Sequence, residues 1–344
     1  MHILKGYTKQ EISWMMYDWA NSAHSVIIVT LLPIFFDTVA GYTADSVSSM
    51  STWGYATSIA MLIVALAAPF LGVFGDIRGM RKKLFRFFML LGVAACAGMA
   101  FTPGMDFTSG PVAAGKVASL ILVLYIVSVI GFDASAIYYD AFLTDVTTED
   151  RMDKVSTMGY GLGYIGGSTI PLLIFLIMNL VGVPMLTCLA FVFGLTAVWW
   201  LAFSLPLLKN CEQTSGKPYE KGDVARSIKG VGTTIKEIIA NKPMLIYILS
   251  YFFYIDGVHT VISMATTYGT NLGLDSTGMM LALLLVQILG LPFCLLYIKC
   301  SEKFGARTMV GFGICVYMFI CIFAFFMNSL WQFWVLAVLC ATSQ

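Results

Sequence analysis

The chain has 344 residues, 59% of them hydrophobic and only 11% charged, with a net charge of +1 at neutral pH. Soluble domains carry roughly 25% charged residues, so this ratio excludes an ordinary soluble fold and puts most of the chain in lipid. The balanced charge offers nothing to nucleic acid or to an acidic partner. The eight cysteines (Cys96, Cys188, Cys211, Cys294, Cys300, Cys315, Cys321 and Cys340) lie mostly in apolar runs, without a Cys-x-x-Cys pair or a Cys/His group. Neither a disulfide scaffold nor a metal site is therefore expected.

A helix needs roughly 20 apolar residues to cross the hydrocarbon. On that measure the spans are Trp14–Phe36, Thr52–Phe74, Leu84–Phe101, Val117–Phe142, Met158–Leu180, Met185–Leu208, Met244–Tyr268, Met279–Ile298 and Met309–Met327. The first is too long for a signal-peptide core and is expected to stay in the protein. A tenth run, Leu330–Ala341, has 12 residues and reaches only about 18 Å as a helix, so the sequence is expected to continue beyond Gln344.

All but one of the 20 Lys and Arg residues fall in alternate loops, with Lys116 alone on the other side. Basic loops stay in the cytoplasm, so the N-terminus and the even-to-odd loops are expected there. The alternation also supports the span count, because one missed span would scramble it. The segment 209–242 divides a six-helix half, 1–208, from a second half, 243–344. Val224, Ile228, Val231, Ile235 and Ile238 recur in it at helical spacing. That pattern fits a helix on the membrane surface, and a disordered tether is the other reading.

The halves resemble each other. Asn21-Ser-Ala-His24-Ser-Val-Ile in the first span aligns with Asp256-Gly-Val-His259-Thr-Val-Ile in the seventh. Asp76-Ile-Arg-Gly79-Met-Arg81, after the second span, aligns with Glu302-Lys-Phe-Gly305-Ala-Arg307, after the eighth. Two matches in order, at equivalent places, indicate a parallel repeat of the kind transporters use.

These residues carry a family resemblance. Gly72-Val-Phe-Gly-Asp76-Ile-Arg78-Gly79-Met-Arg81-Lys82-Lys83 resembles the signature loop of the major facilitator superfamily. Tyr17-Asp18-Trp19-Ala20-Asn21-Ser22-Ala23, the glycine-rich run Gly159–Gly167 and Tyr254-Ile-Asp256-Gly257-Val258 resemble its vacuole effluxer-like branch. The resemblance runs over essentially the whole chain. It implies an all-α bundle of two pseudo-repeated six-helix halves, interrupted here in the tenth helix. It also implies a small solute such as an amino acid, moved by efflux.

Ionisable groups inside spans are the best functional pointers, since each costs roughly 2.5–3.5 kcal/mol at a helix centre if it faces lipid. Asp18, Asp133, Asp140 and Asp256 are therefore expected to face a cavity or partners. Asp133 and Asp140 share one helix face, as do Asn21 with His24 and Asp256 with His259. Gln287 adds a polar group in the eighth span. Together these eight are the expected substrate and coupling cavity, against a plain alternative of structural interhelical hydrogen bonds. In the signature loop, Gly72, Asp76, Arg78, Gly79, Arg81 and Lys82, with Glu302, Gly305 and Arg307 in the second half, form the expected gate. Ion pairs there can lock one state and break in the other. The alternative is a topology signal with a solvated carboxylate.

Other motifs fail on context. Gly161-Leu-Gly163-Tyr-Ile-Gly166 follows no strand and lies within a span, where small residues allow close helix contact. Gly110-Pro-Val-Ala-Ala-Gly115-Lys116-Val117 lacks the Ser or Thr of a phosphate-binding loop. No H-E-x-x-H or G-x-S-x-G motif occurs, so no hydrolase equipment and no cofactor are expected.

The reading is a secondary transporter that rocks two halves about a midplane site, as a monomer, driven by an ion gradient and with Asp256 as a proton carrier. A membrane enzyme would need a clustered catalytic set, and a non-transporting receptor or scaffold would need no midplane charge. The membrane is the inner membrane if the source is bacterial and the vacuolar membrane if it is eukaryotic.

Overall fold

The computed structural model describes residues 4, 6–43, 48–216, 218 and 223–343. Of the residues counted or named above, Lys5, Lys217 and Lys221 lie outside these, as do the side chains of Arg226, Lys229, Lys299, Cys294 and Glu302.

Hydrocarbon offers the backbone no hydrogen-bond partner, so each apolar run must satisfy its own amides, and a helix does so. The first span is α1 (Lys9–Thr30) followed by α2 (Leu32–Ala40). Thr8 and Glu11 start it with a capping box: each side chain accepts from the other's backbone N–H, at 3.1 and 2.7 Å. Pro33, near the start of α2, cannot donate back to α1, and the span breaks at Leu31. Then come α3 (Ser49–Gly75), α4 (Arg81–Met99) and α5 (Pro111–Val146). The fifth span is composite: α6 (Met152–Leu162), a π-helical turn over Gly163–Ser168, and α7 (Thr169–Leu180). Pro171 causes the irregularity, since its ring has no N–H and crowds the carbonyl of residue 167. Thr169 Oγ1 donates to the Tyr164 carbonyl at 2.8 Å. The first half ends with α8 (Met185–Asn210).

The later part of the dividing segment is α9 (Asp223–Ala240). The second half consists of α10 (Lys242–Asn271), α11 (Ser276–Phe304), α12 (Ala306–Phe325) and α13 (Leu330–Ser343). Eight helices among the described residues are long and apolar enough to cross a membrane, and α11 is apolar over Ser276–Gly290. Leu62, Leu66, Val198 and Phe325 are among the large apolar side chains left exposed, as a lipid-facing surface requires. The helix ends near Lys9, Arg81, Arg151, Lys242 and Lys303 form one face of the bundle, called the basic face below.

One large apolar core unites the first six spans and a smaller one lies among α11, α12 and α13. In the first half α4 and α5 pack backbone to backbone. A Cβ on Gly131 would fall 2.5 Å from the Gly92 nitrogen, and the Trp200 ring of α8 covers Gly92 from another side. Gly79 and Gly305, the residues paired by the repeat, adopt φ of +81° and +82° just before α4 and α12. Side chains with a Cβ rarely take that conformation, so glycine is needed at both equivalent turns.

This packing predicts a contrast within a single helix. Gly131→Ala should destabilise the detergent-solubilised protein by about 1–3 kcal/mol through overpacking. Gly115→Ala, with nothing within 4 Å of the new Cβ, should be neutral or slightly stabilising. Equal melting-temperature shifts for the two would contradict the α4–α5 contact.

Candidate transport pathway and gating loop

The two halves meet on the face away from the basic loops. Thr266 Oγ1 of α10 donates to the Val29 carbonyl of α1 at 2.7 Å, and Asn271 lies 3.5 Å from Met50 Sδ of α3. Thr267 and Thr270 close a narrow crevice with Pro33, Phe36, Asp37, Ser49 and Trp53. At mid-depth Tyr164 packs against Gly290 of α11. Nearer the basic face, residues 244–253 of α10 are exposed except for half-buried Leu245. The bundle is thus closed on one side and splayed on the other.

Helical geometry relates the polar residues of α10 to this seam. Asp256 precedes Thr267 by eleven residues, three turns, and His259 precedes Thr266 by seven, two turns, so they share those residues' helix faces, but both side chains are exposed. In α1 the half-buried stripe Asp18, Ser22, Ser25 and Val29 recurs at helical spacing and includes the contact to α10. Tyr139 donates to Asp18 Oδ2 at 2.7 Å. The glycines of the fifth span let α1 come this close: a Cβ on Gly159 would meet Asp18 Oδ2 at 2.6 Å, and one on Gly163 would meet Ser22 Oγ at 2.5 Å. In α5, Asp133 and Asp140 lie on the side away from Gly131 and its α4 contact, about 10 Å apart along the axis. Asp133 Oδ2 is buried without a hydrogen-bond partner among the described residues. Gln287 is buried in α11.

Asn21 and His24 are not brought to the seam. The face of α1 that carries them is the one packed on α5 and α8. Tyr17 OH on that face pairs with Ser135 Oγ at 2.8 Å, and His24 stacks 4.9 Å from Phe132 and 5.0 Å from Trp200. The imidazole is 3% exposed, with neither nitrogen partnered among the described residues. His24 and His259 match in sequence but occupy different surroundings.

At the basic face the signature loop is more elaborate than its sequence suggests. Arg81 is buried and pairs with Asp145, at the end of α5, whose side chain is fully buried too. Its second contact, to Asp76, is longer at 3.8 Å, and the Asp76 side chain is 80% exposed. Arg78 and Arg307 are exposed, Lys82 is half-buried, and none of the three forms an ion pair among the described residues. Gly72 ends the last full turn of α3, and its carbonyl accepts from Asp76 N. Nearby, Glu11 of α1 is buried and accepts from Arg151 at 2.9 and 3.0 Å and from Thr147 at 2.7 Å, tying α1 to the turn after α5. Asp145, Glu11 and Arg151 were not among the sequence candidates, because their partners lie far along the chain.

The sequence matches the vacuole effluxer Atg22-like family over residues 39–343. The MFS-type transporter YxiO of Bacillus subtilis (strain 168) is 40% identical over 350 residues, covering 99% of this chain and 79% of that one. Autophagy-related protein 22-1 of Penicillium rubens is 24% identical over 177 residues, 48% of this chain and 30% of its own length. Among solved structures, a bacterial homologue of the human lysosomal transporter Spinster, inward-facing and unoccupied, gives a TM-score of 0.62 over 97% of this chain and 72% of that chain. A D-xylose-proton symporter gives 0.57 over 97% and 80%. Both are 15% identical, so the likeness is one of fold.

The loop geometry makes an asymmetric prediction for stability. Asp145→Ala leaves the Arg81 guanidinium buried without its main partner and should cost about 3–5 kcal/mol. Asp76→Ala removes a distant, exposed contact and should stay within about 1 kcal/mol of the parent. Thermal unfolding in detergent reads both, and the reverse order would overturn the assignment of Asp145 as the partner of Arg81.

Proposed function

The chain belongs to the vacuole effluxer Atg22-like family of major facilitator-type membrane transporters, and from that premise we propose that it moves a small amine-bearing solute, such as an amino acid, by alternating access. The observation that supports this reading is the seam, where α10 meets α1 and α3 on one face, together with four carboxylates placed within the spans. Every Lys and Arg of the spans lies near a helix end, whereas Asp18, Asp133, Asp140 and Asp256 lie deeper. A passage so lined favours a positively charged group over an anion. The family's description as vacuole effluxer-like supports efflux from a compartment. With cytoplasmic basic loops, the splayed side opens to the cytoplasm.

Asp256 is the proposed coupling residue. No nucleotide-binding motif serves the chain, so uphill movement draws on an ion gradient. A carboxylate exposed to each side in turn can take up a proton on one and release it on the other. His259, nearly one turn away, supplies a second proton site or a donor to solute. Asp76 is the proposed gate, reaching the second half when the basic face closes.

The experiment is uptake and counterflow in proteoliposomes with a panel of labelled amino acids and amines. Asp256→Asn should abolish accumulation driven by a pH gradient and preserve counterflow exchange. Loss of both in a folded variant makes Asp256 a solute-binding residue, and retention of both rejects the coupling role. The alternative, a receptor with a transporter fold, predicts no flux of any labelled solute and no effect of Asp256→Asn.

A further inference from the structure

The gating loop is held from outside its own sequence. Gln213, three residues past the end of α8, inserts its side-chain amide into the turn between α3 and α4. Its Oε1 accepts from Gly79 N at 2.8 Å and from Arg81 N at 3.2 Å, while its Nε2 donates to the Gly75 carbonyl at 3.0 Å. One side chain thus binds both ends of the turn that carries Asp76. The next two residues extend the clasp. Thr214 and Ser215 both donate to Asp145 Oδ1 through backbone N–H and hydroxyl, at 2.8–3.0 Å. Arg81 Nη1 in turn donates to Ser215 Oγ at 3.1 Å and to the Ala141 carbonyl at 2.9 Å. The linker therefore begins as part of the loop's scaffold.

We propose that Gln213 is a positioning residue of the transport cycle: it clasps the 75–81 turn to the first half so that Asp76 is presented, exposed and oriented, to the second half. The physical case is one of ordering cost. Fixing a residue's backbone costs about 1–2 kcal/mol, so a loop that must order itself at each closure weakens that closure. A clasp that orders the loop beforehand leaves the docking contact undiminished. Arg81 cannot do this alone, because it is committed to Asp145 and grips only the C-terminal end of the turn. Gln213 supplies the contact to the other end, at Gly75, and leaves the Asp76 carboxylate exposed.

The proposal rests on the gating role of Asp76, and its test separates the two. Spin labels at Lys83 and Lys303, both exposed on opposite halves of the basic face, report the distance between halves in lipid by double electron–electron resonance. In the parent a short-distance component should mark the closed basic face. Gln213→Ala should lower that component about threefold or more, Asp76→Asn should do the same, and the double variant should be no lower than either single one. Gln213→Glu keeps the acceptor for Gly79 and Arg81 but loses the donor to the Gly75 carbonyl, so it should lower the component as well. A cooperative thermal unfolding transition in both Gln213 variants shows that they remain folded. If Asp76→Asn lowers the component and Gln213→Ala does not, the positioning role is wrong and the gate stands. An additive loss in the double variant shows that Gln213 does not act through Asp76 and also rejects the proposal. If neither single variant changes the component, or the parent lacks it, the gate itself is wrong and the proposal falls with it.

Discussion

A charge inside a bilayer must be given water or a partner, and most of this molecule's polar architecture is a response to that cost. Arg81 and Asp145 show the partnered solution: both side chains are buried, and each has further hydrogen bonds to Ala141, Thr214 or Ser215. Breaking such a pair strands a buried charge, which is far more costly than never having made it. Asp18, Asp133, Asp140 and Asp256 are placed differently. Asp18 accepts from Tyr139 and Asp133 Oδ2 is buried, while Asp140 and Asp256 are exposed, and it is these four that the proposed passage would use. Under the proposed function, the locked pairs belong to the rigid part of the molecule and these carboxylates to its working part.

Movement between halves requires each half to be rigid, and close helix contact provides this in the first. Gly131 meets Gly92 backbone to backbone, and the glycines of the fifth span receive Asp18, Trp19 and Ser22 of α1. The π-helical turn places Tyr164 against Gly290 of α11, so the irregular part of the fifth span is also a point where the halves touch. Irregular turns of this kind concentrate at functional sites, because the mismatched hydrogen bonds leave a local choice of packing.

The sequence made the architecture legible because its signals are local. Run length gives the spans, loop charge gives their alternation, and the paired glycines at 79 and 305 both take a positive φ. What stayed hidden was long-range. Arg81 finds Asp145 at a separation of 64 residues and Gln213 at 132, and no periodicity announces either. The polar run Gln213-Thr214-Ser215 reads as an ordinary linker until the loop it clasps is beside it. His24 shows the converse limit. Its match to His259 reflects ancestry of the helix, while its surroundings follow from which neighbours pack on that face. The break at Pro33 was foreseeable from the proline, but the π-helical turn before Pro171 needed the packing of α1 to explain its position.

The claim that joins these observations is that transport requires the closed seam to open as the splayed side shuts. Met50 and Asn271 touch across that seam, away from the basic face. Cysteines at these two positions, in a background without the eight native ones, can be oxidised to a disulfide in proteoliposomes. Counterflow of labelled amino acids measured before oxidation, after it, and after reduction gives the decisive comparison. The account predicts that cross-linking stops exchange and that dithiothreitol restores it. Undiminished exchange through a fully cross-linked protein would contradict it.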